Sequence, residues 1–126
     1  TGAPAFLLFT CQRVGVPKVD RRALERHDNG AQRITSVRVP LADMSALQRL
    51  LAAAGVRHSR AGVFNLADIH LSASDAVGPA LVSFAVSDMT ASQKLLRDRG
   101  VVFTRHEGVL RIGPAPGQGA EILFQE

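Results

Sequence analysis

The side chains best suited to chemistry lie in the alternating apolar segments of the chain. Arg38 belongs to the segment RITSVRV, His70 to ADIHL and Glu121 to AEILF. Each of them alternates with apolar residues, so a strand presents it on the face opposite those residues. Carboxylates and imidazoles are ligands for divalent metals, and a guanidinium binds anions. These residues are therefore candidates for a metal site or an anion site.

An internal repeat supplies the elements that position these side chains. The segment DMSALQRLLAAAGV (43–56) recurs as DMTASQKLLRDRGV (88–101). The two copies begin at Asp43 and Asp88 and align without a gap. Each copy has an aspartate that can cap a helix, an apolar stripe at helical spacing and a terminal glycine. We therefore predict helices over residues 43–55 and 88–100. An ungapped match of this length indicates two copies of one structural unit.

Strands are predicted on both sides of each helix. One alternating segment precedes each helix, and three short segments follow it, the first beginning at Val56 or Val101. Each copy is thus predicted to be βαβββ, over residues 33–72 and 80–126, within a single domain. Alternation predicts that the helix-facing positions are Val37, Val39, Ile69, Leu71, Val82, Phe84, Val86, Ile122 and Phe124.

Residues 1–32 have no counterpart in the repeat. AFLLFTCQ (5–12) is a dense apolar run that predicts a buried strand, and a connector and a short helix (20–27) follow it. An uncovered strand of this composition is prone to aggregate. We therefore expect it to pair with a sheet of this domain or of a partner chain, and we expect a homodimer.

Composition limits the classes of function. The 126 residues are 46% hydrophobic and 21% charged, which is typical of one globular domain, and no apolar run reaches the ~20 residues of a membrane span. Cys11 is the only cysteine, which fits a reducing compartment, so we expect a cytoplasmic protein without a membrane partner. Lysine and arginine total 15, but they are dispersed, and Trp and Tyr are absent. This pattern disfavours nucleic acid and favours a small anionic ligand.

Three stretches carry a family resemblance. LVSFAVSDMTASQKLLRDRGV, PAPGQGAEILF, and FTCQR followed by HDNGA resemble segments of the vicinal oxygen chelate superfamily, which includes glyoxalase I, extradiol dioxygenases and bleomycin-resistance proteins. The resemblance implies an α+β fold in which paired βαβββ modules form a curved mixed sheet with the helices on its outer face. The FTCQR stretch is similar to a linking segment of large bacterial glyoxalase-like proteins. It implies that this chain is a C-terminal half that packs against an N-terminal half.

The resemblance also implies a ligand cleft on the face of the sheet without helices. The residues that we expect to bind a ligand there are Ser36, Arg38, His70, Ser83 and Glu121. Metal-dependent members of the superfamily take ligands from the first and last strands of their modules. The usual first-strand histidine falls here on Ile34 and Leu81, which cannot bind a metal. His70 and Glu121 are weak metal candidates, so no cofactor is favoured, although a divalent metal is possible.

Three functions remain open from the sequence. The favoured one is a glyoxalase-like domain that binds a small, anionic molecule in the cleft. The second is a metal-dependent lyase or dioxygenase, in which a metal polarises vicinal oxygens of the substrate. The third is a ferredoxin-like module for interaction or oligomerisation, which the extra strands after each helix disfavour.

Overall fold

The described residues form an α+β fold with one seven-stranded mixed sheet and two helices. The computed structural model describes residues 14–15, 20, 22, 26–41, 44–56, 62–74, 77–114 and 119–126. In chain order the elements are β1 (Ala31–Pro40), α1 (Met44–Ala53), β2 (Val63–Leu66), β3 (Ile69–Ser74), β4 (Ala80–Val86), α2 (Met89–Asp98), β5 (Thr104–His106), β6 (Val109–Ile112) and β7 (Ala120–Gln125).

The two helices begin and end at equivalent positions of the repeat, as the sequence predicts. Asp88 caps α2, since its side chain accepts a hydrogen bond from the Ala91 amide at 2.9 Å. Gly55 and Gly100 end the helices with φ angles of 76° and 66°, a left-handed conformation that glycine adopts without a steric penalty. The predicted cap of α1, Asp43, lies outside the described residues.

The strands lie in the order β2-β3-β1-β4-β7-β6-β5. Within each half the first strand runs parallel to the last one, since β1 pairs with β3 and β4 pairs with β7. The two halves meet where β1 and β4 pair in antiparallel orientation at the centre of the sheet. Residues 57–61, where the sequence predicts another strand after α1, lie outside the described residues. The corresponding strand of the second half begins at Thr104 rather than at Val101, and Val101 and Phe103, which precede it, pack against the core.

Each helix covers its own half of the sheet with a separate apolar cluster. Leu47 and Leu51 of α1 lie with Phe64 and Leu71, and Val37 and Val39 pack against them. On the second half, Met89 and Leu96 of α2 lie with Val86, Leu110 and Phe124, and Phe84 and Ile122 pack against them. The structure thereby confirms seven of the predicted helix-facing positions, namely Val37, Val39, Leu71, Phe84, Val86, Ile122 and Phe124. Ile69 and Val82 are half-buried and lie outside both clusters.

An approximate two-fold axis passes between the halves at Ser36 and Ser83. The two serines occupy equivalent positions, because the residues that follow them, Val37 and Phe84, lie opposite Leu71 and Phe124 respectively. Ser36 and Ser83 also pair directly with each other. The register shifts between Ile34 and Ser36, so Thr35 is left out of the pairing as a β-bulge.

The bulge corrects one expectation from the sequence. Simple alternation puts Ile34 on the face without helices, together with Ser36. In the structure Ile34 lies opposite Phe84, and directly opposed residues share a face, so Ile34 lies on the helix side. Thr35 turns to the other side, where its hydroxyl donates to the Ser83 carbonyl at 3.3 Å and accepts from Gln125 at 3.2 Å. The extra residue in β1 reverses the alternation locally.

The leading part of the chain is described only in fragments. The predicted strand over residues 5–12 lies outside the described residues, and so do four positions of the predicted helix over 20–27. Among the described residues there, Arg22 donates to the Asp20 carboxylate and lowers the pKa of that group below its usual 3.8. From Arg26 onward the chain is described continuously into β1.

Candidate functional site

The open face is defined here as the face of the sheet opposite the two helices. The pairing register arranges its side chains in two neighbouring rows, because directly paired residues project to the same side. One row consists of Asn65, His70, Ser36, Ser83, Leu123 and Arg111. The other row consists of Ser72, Arg38, Leu81 and Glu121. All five residues that the sequence singles out for ligand binding therefore belong to this face.

The centre of the open face is a pair of hydroxyl groups. Ser36 Oγ donates to Ser83 Oγ at 2.9 Å, across the junction of the two halves. Ser83 is buried, with 3% of its surface exposed, whereas Ser36 is half-buried. Ser83 thus acts mainly by fixing the orientation of Ser36, and Ser36 is the hydroxyl that a molecule on this face can reach.

Glu121 is held by an arginine that the sequence analysis did not single out. Arg111 Nη2 donates to Glu121 Oε2 at 2.6 Å, and the two side chains are 56% and 18% exposed. Arg111 lies on β6 opposite Leu123, so it reaches Glu121 diagonally across the strand pair. The ion pair occupies one carboxylate oxygen and neutralises its charge, which makes Glu121 a poorer metal ligand. Alternation in the segment VLRI (109–112) predicts which face of the sheet Arg111 lies on. Its partner Glu121 is identified only by the pairing of the strands.

His70 is also paired, with Asn65 on the neighbouring strand. His70 Nδ1 and Asn65 Oδ1 are 2.8 Å apart, and both residues are exposed. His70 lies on β3 and Glu121 on β7, with β1 and β4 between them. Strands are ~4.8 Å apart, so the two candidates are separated by roughly 14 Å along the sheet. A zinc ion binds its ligand atoms at about 2 Å, so His70 and Glu121 do not share an ion in this arrangement.

Within the described part of the chain, no three His, Cys, Asp or Glu side chains are grouped closely enough to hold an ion. His70 and Glu121, the imidazole and the carboxylate of the two rows, are each already bonded to a neighbour.

Arg38 is the exposed cation of the second row. It lies between Ser72 of β3 and Leu81 of β4, which are its direct neighbours in the register. Among the residues that the structure describes, no hydrogen bond or ion pair holds its guanidinium group. The guanidinium can present two parallel N–H groups to a carboxylate or phosphate, and its neighbours add a hydroxyl on one side and an apolar surface on the other.

Two cavities lined by described residues lie on the helix side of the sheet. A cavity of about 420 Å³ is lined by Ile34, Phe84, Ile122 and Phe124, together with His27, Asn29, Ala31, Gln32 and Arg33. A second one of about 600 Å³ shares Asn29, Ile122 and Phe124 with it and extends to Val101, Ile112 and Pro114. The sequence does not predict these cavities, because a gap between distant elements leaves no pattern in the residues that line it.

Comparison with known proteins does not assign this chain to a family. No family model matches this chain, and no curated protein matches it at a significant level. Among the described residues, no helix is long and apolar enough to cross a membrane.

Proposed function

We propose that the chain is a glyoxalase-like pair of βαβββ units that binds a small anionic molecule on the open face through Arg38. The observation that carries this proposal is the exposed guanidinium of Arg38, which lies between Ser72 and Leu81 next to the junction of the halves. The Ser36 hydroxyl, which donates to Ser83, lies one row away and adds a neutral polar group to this part of the face. The fixed backbone of a central strand supports Arg38, so little entropy is lost in positioning it.

The topology supports the glyoxalase-like part of the proposal. In the second half, one strand and a helix are followed by three strands, arranged β4-β7-β6-β5. The described strands of the first half follow the same spatial order, β1-β3-β2, and the halves meet through their first strands. A ferredoxin-like module, with one strand after each helix of a βαβ unit, fits these elements less well.

The metal-dependent lyase or dioxygenase has less support than a binding protein. His70 and Glu121 lie on separate strands, and each has another partner. On the helix side, Ile34 cannot contribute a ligand, and Leu81 is apolar. One ion per chain, detected by elemental analysis and lost in both His70→Ala and Glu121→Ala, would restore the metalloenzyme hypothesis.

Titration calorimetry with oxalate and inorganic phosphate tests the anion site. We expect Arg38→Ala to weaken binding by about 1.5–3 kcal/mol, because a hydrogen bond to a charged group is lost. Arg49→Ala is the matched control, since Arg49 is an exposed arginine on α1, on the other side of the sheet. Equal affinity of the Arg38 and Arg49 variants, or binding of neither anion to the unaltered protein, contradicts the proposal.

A further inference from the structure

The second row of the open face carries opposite charges on either side of an apolar residue. Direct pairing places Arg38, Leu81 and Glu121 side by side on the adjacent strands β1, β4 and β7. The row therefore presents a cation, then an apolar side chain, then a carboxylate. Strands lie ~4.8 Å apart, so Arg38 and Glu121 are separated by roughly 10 Å at the backbone. A molecule that lies along this row meets opposite charges at its two ends.

Glu121 has one carboxylate oxygen that a ligand can reach. Arg111 Nη2 donates to Oε2, whereas no described residue bonds to Oε1. Among the residues that the structure describes, no buried polar side-chain atom lacks a hydrogen-bond partner, so Oε1 is in contact with solvent. A carboxylate accepts hydrogen bonds on both of its oxygens. An ammonium group can therefore bind Oε1 while Arg111 remains bound to Oε2.

We propose that the row from Arg38 to Glu121 binds a zwitterion, an ω-amino acid whose carboxylate and ammonium group are separated by an apolar chain. The inference rests on the proposed anion site and adds a second charged end to it. Arg38 binds the carboxylate, Glu121 binds the ammonium group, and the apolar chain lies on Leu81. A simple anion at Arg38 is repelled by the Glu121 charge, whereas the ammonium group of a zwitterion offsets that repulsion.

The separation of the two charges sets the length of the ligand. Two extended peptide residues span ~7 Å, and a hydrogen bond of ~2.8 Å at each end extends this reach to roughly 12 Å. 6-Aminohexanoate has about that length and can bridge the row. Glycine, which is one residue long, reaches only about 9 Å on the same basis and falls short of the second charge.

NMR titrations of the full chain compare 6-aminohexanoate with hexanoate, which has the same chain and carboxylate but no ammonium group. We expect 6-aminohexanoate to bind roughly 2- to 5-fold more tightly, which is the effect of one partly exposed ion pair. Glu121→Gln should abolish this preference, because glutamine has no charge. Glu107→Gln is the matched control at an 85% exposed residue and should retain it. Glycine should show no such preference over acetate.

The outcomes separate this inference from the anion site on which it rests. If oxalate and hexanoate bind through Arg38 but 6-aminohexanoate binds no more tightly than hexanoate, the anion site stands and the zwitterion is wrong. A preference that persists in Glu121→Gln means that the ammonium group binds elsewhere, and it also overturns the inference. If none of these molecules binds, both proposals fail.

A substitution at Leu81 tests the position of the apolar chain. Leu81→Asn should weaken the binding of 6-aminohexanoate several-fold, because the chain loses its apolar contact, and should leave oxalate binding unchanged. The retained oxalate affinity shows that this variant is folded. Unchanged binding of 6-aminohexanoate in the folded variant contradicts a ligand that lies along the row.

Discussion

Replacing Glu121 by glutamine separates an anion site from a cation site on the open face. Glutamine keeps the size of the side chain and removes the charge that Arg111 binds at 2.6 Å. The arginine is 56% exposed, so water screens the pair, and its loss should lower the free energy of unfolding by no more than about 1 kcal/mol. The variant therefore remains folded, and its binding can be compared with that of the unaltered chain.

Anion binding should become stronger in Glu121→Gln. Glu121 and Arg38 lie in one row on strands separated only by β4, roughly 10 Å apart. At that distance a unit charge contributes about 0.4 kcal/mol in water and about 1.7 kcal/mol at an effective dielectric constant near 20. Removing the carboxylate should therefore increase the affinity for an anion at Arg38 by roughly 2- to 15-fold.

The assay is a calorimetric titration with oxalate at low ionic strength. Glu107→Gln is the matched control, because it makes the same chemical change at an 85% exposed turn residue between β5 and β6. We expect the Glu121 variant to bind more tightly than both the control and the unaltered protein. Weaker binding in Glu121→Gln, with Glu107→Gln unchanged, refutes the reasoning and indicates that the carboxylate itself takes part, as in a metal site.

Three other predictions concern the framework of the site, and each is measured by chemical denaturation. Leu110 is completely buried, so Leu110→Ala should cost about 2–5 kcal/mol, and a cost below 1 kcal/mol contradicts the core described for the second half. A double-mutant cycle of Ser36→Ala and Ser83→Ala should give a coupling of about 0.5–1.5 kcal/mol, whereas additive effects show that the hydroxyl pair is not formed. Ser92 is fully buried and donates to the Asn29 carbonyl at 2.6 Å in the turn before β1. Ser92→Ala should cost about 1–3 kcal/mol and speed amide exchange over residues 26–30, since that carbonyl loses this donor; unchanged exchange means that Ser92 does not hold the turn.

The local elements are readable from the sequence because their signals are local. The repeat, Asp88 and the two terminal glycines place both helices within a turn of their observed ends. Alternation also assigns most strand residues to the correct face, since the period of a strand does not depend on its partners.

The remaining features depend on how distant segments pair. The bulge at Thr35 has no glycine or other local mark, and it moves Ile34 to the helix side. The partners of Glu121 and His70 are set by the register of β6 with β7 and of β2 with β3, which no single segment encodes. The cavity lined by Ile34, Phe84 and Ile122 arises between elements that are far apart in the chain. A site built from pairings of this kind becomes visible only when the strand order is known.

Mapping a bound anion by NMR tests the central proposal most directly. The isotope-labelled full chain is titrated with oxalate, and the backbone amide shifts are followed residue by residue. The account predicts that the largest changes occur at Ser36, Arg38 and Ser72, with small changes on α1 and α2, and that they disappear in Arg38→Ala. Changes confined to residues on the helix side of the sheet such as Ile122, or no saturable change at any residue, contradict an anion site on the open face.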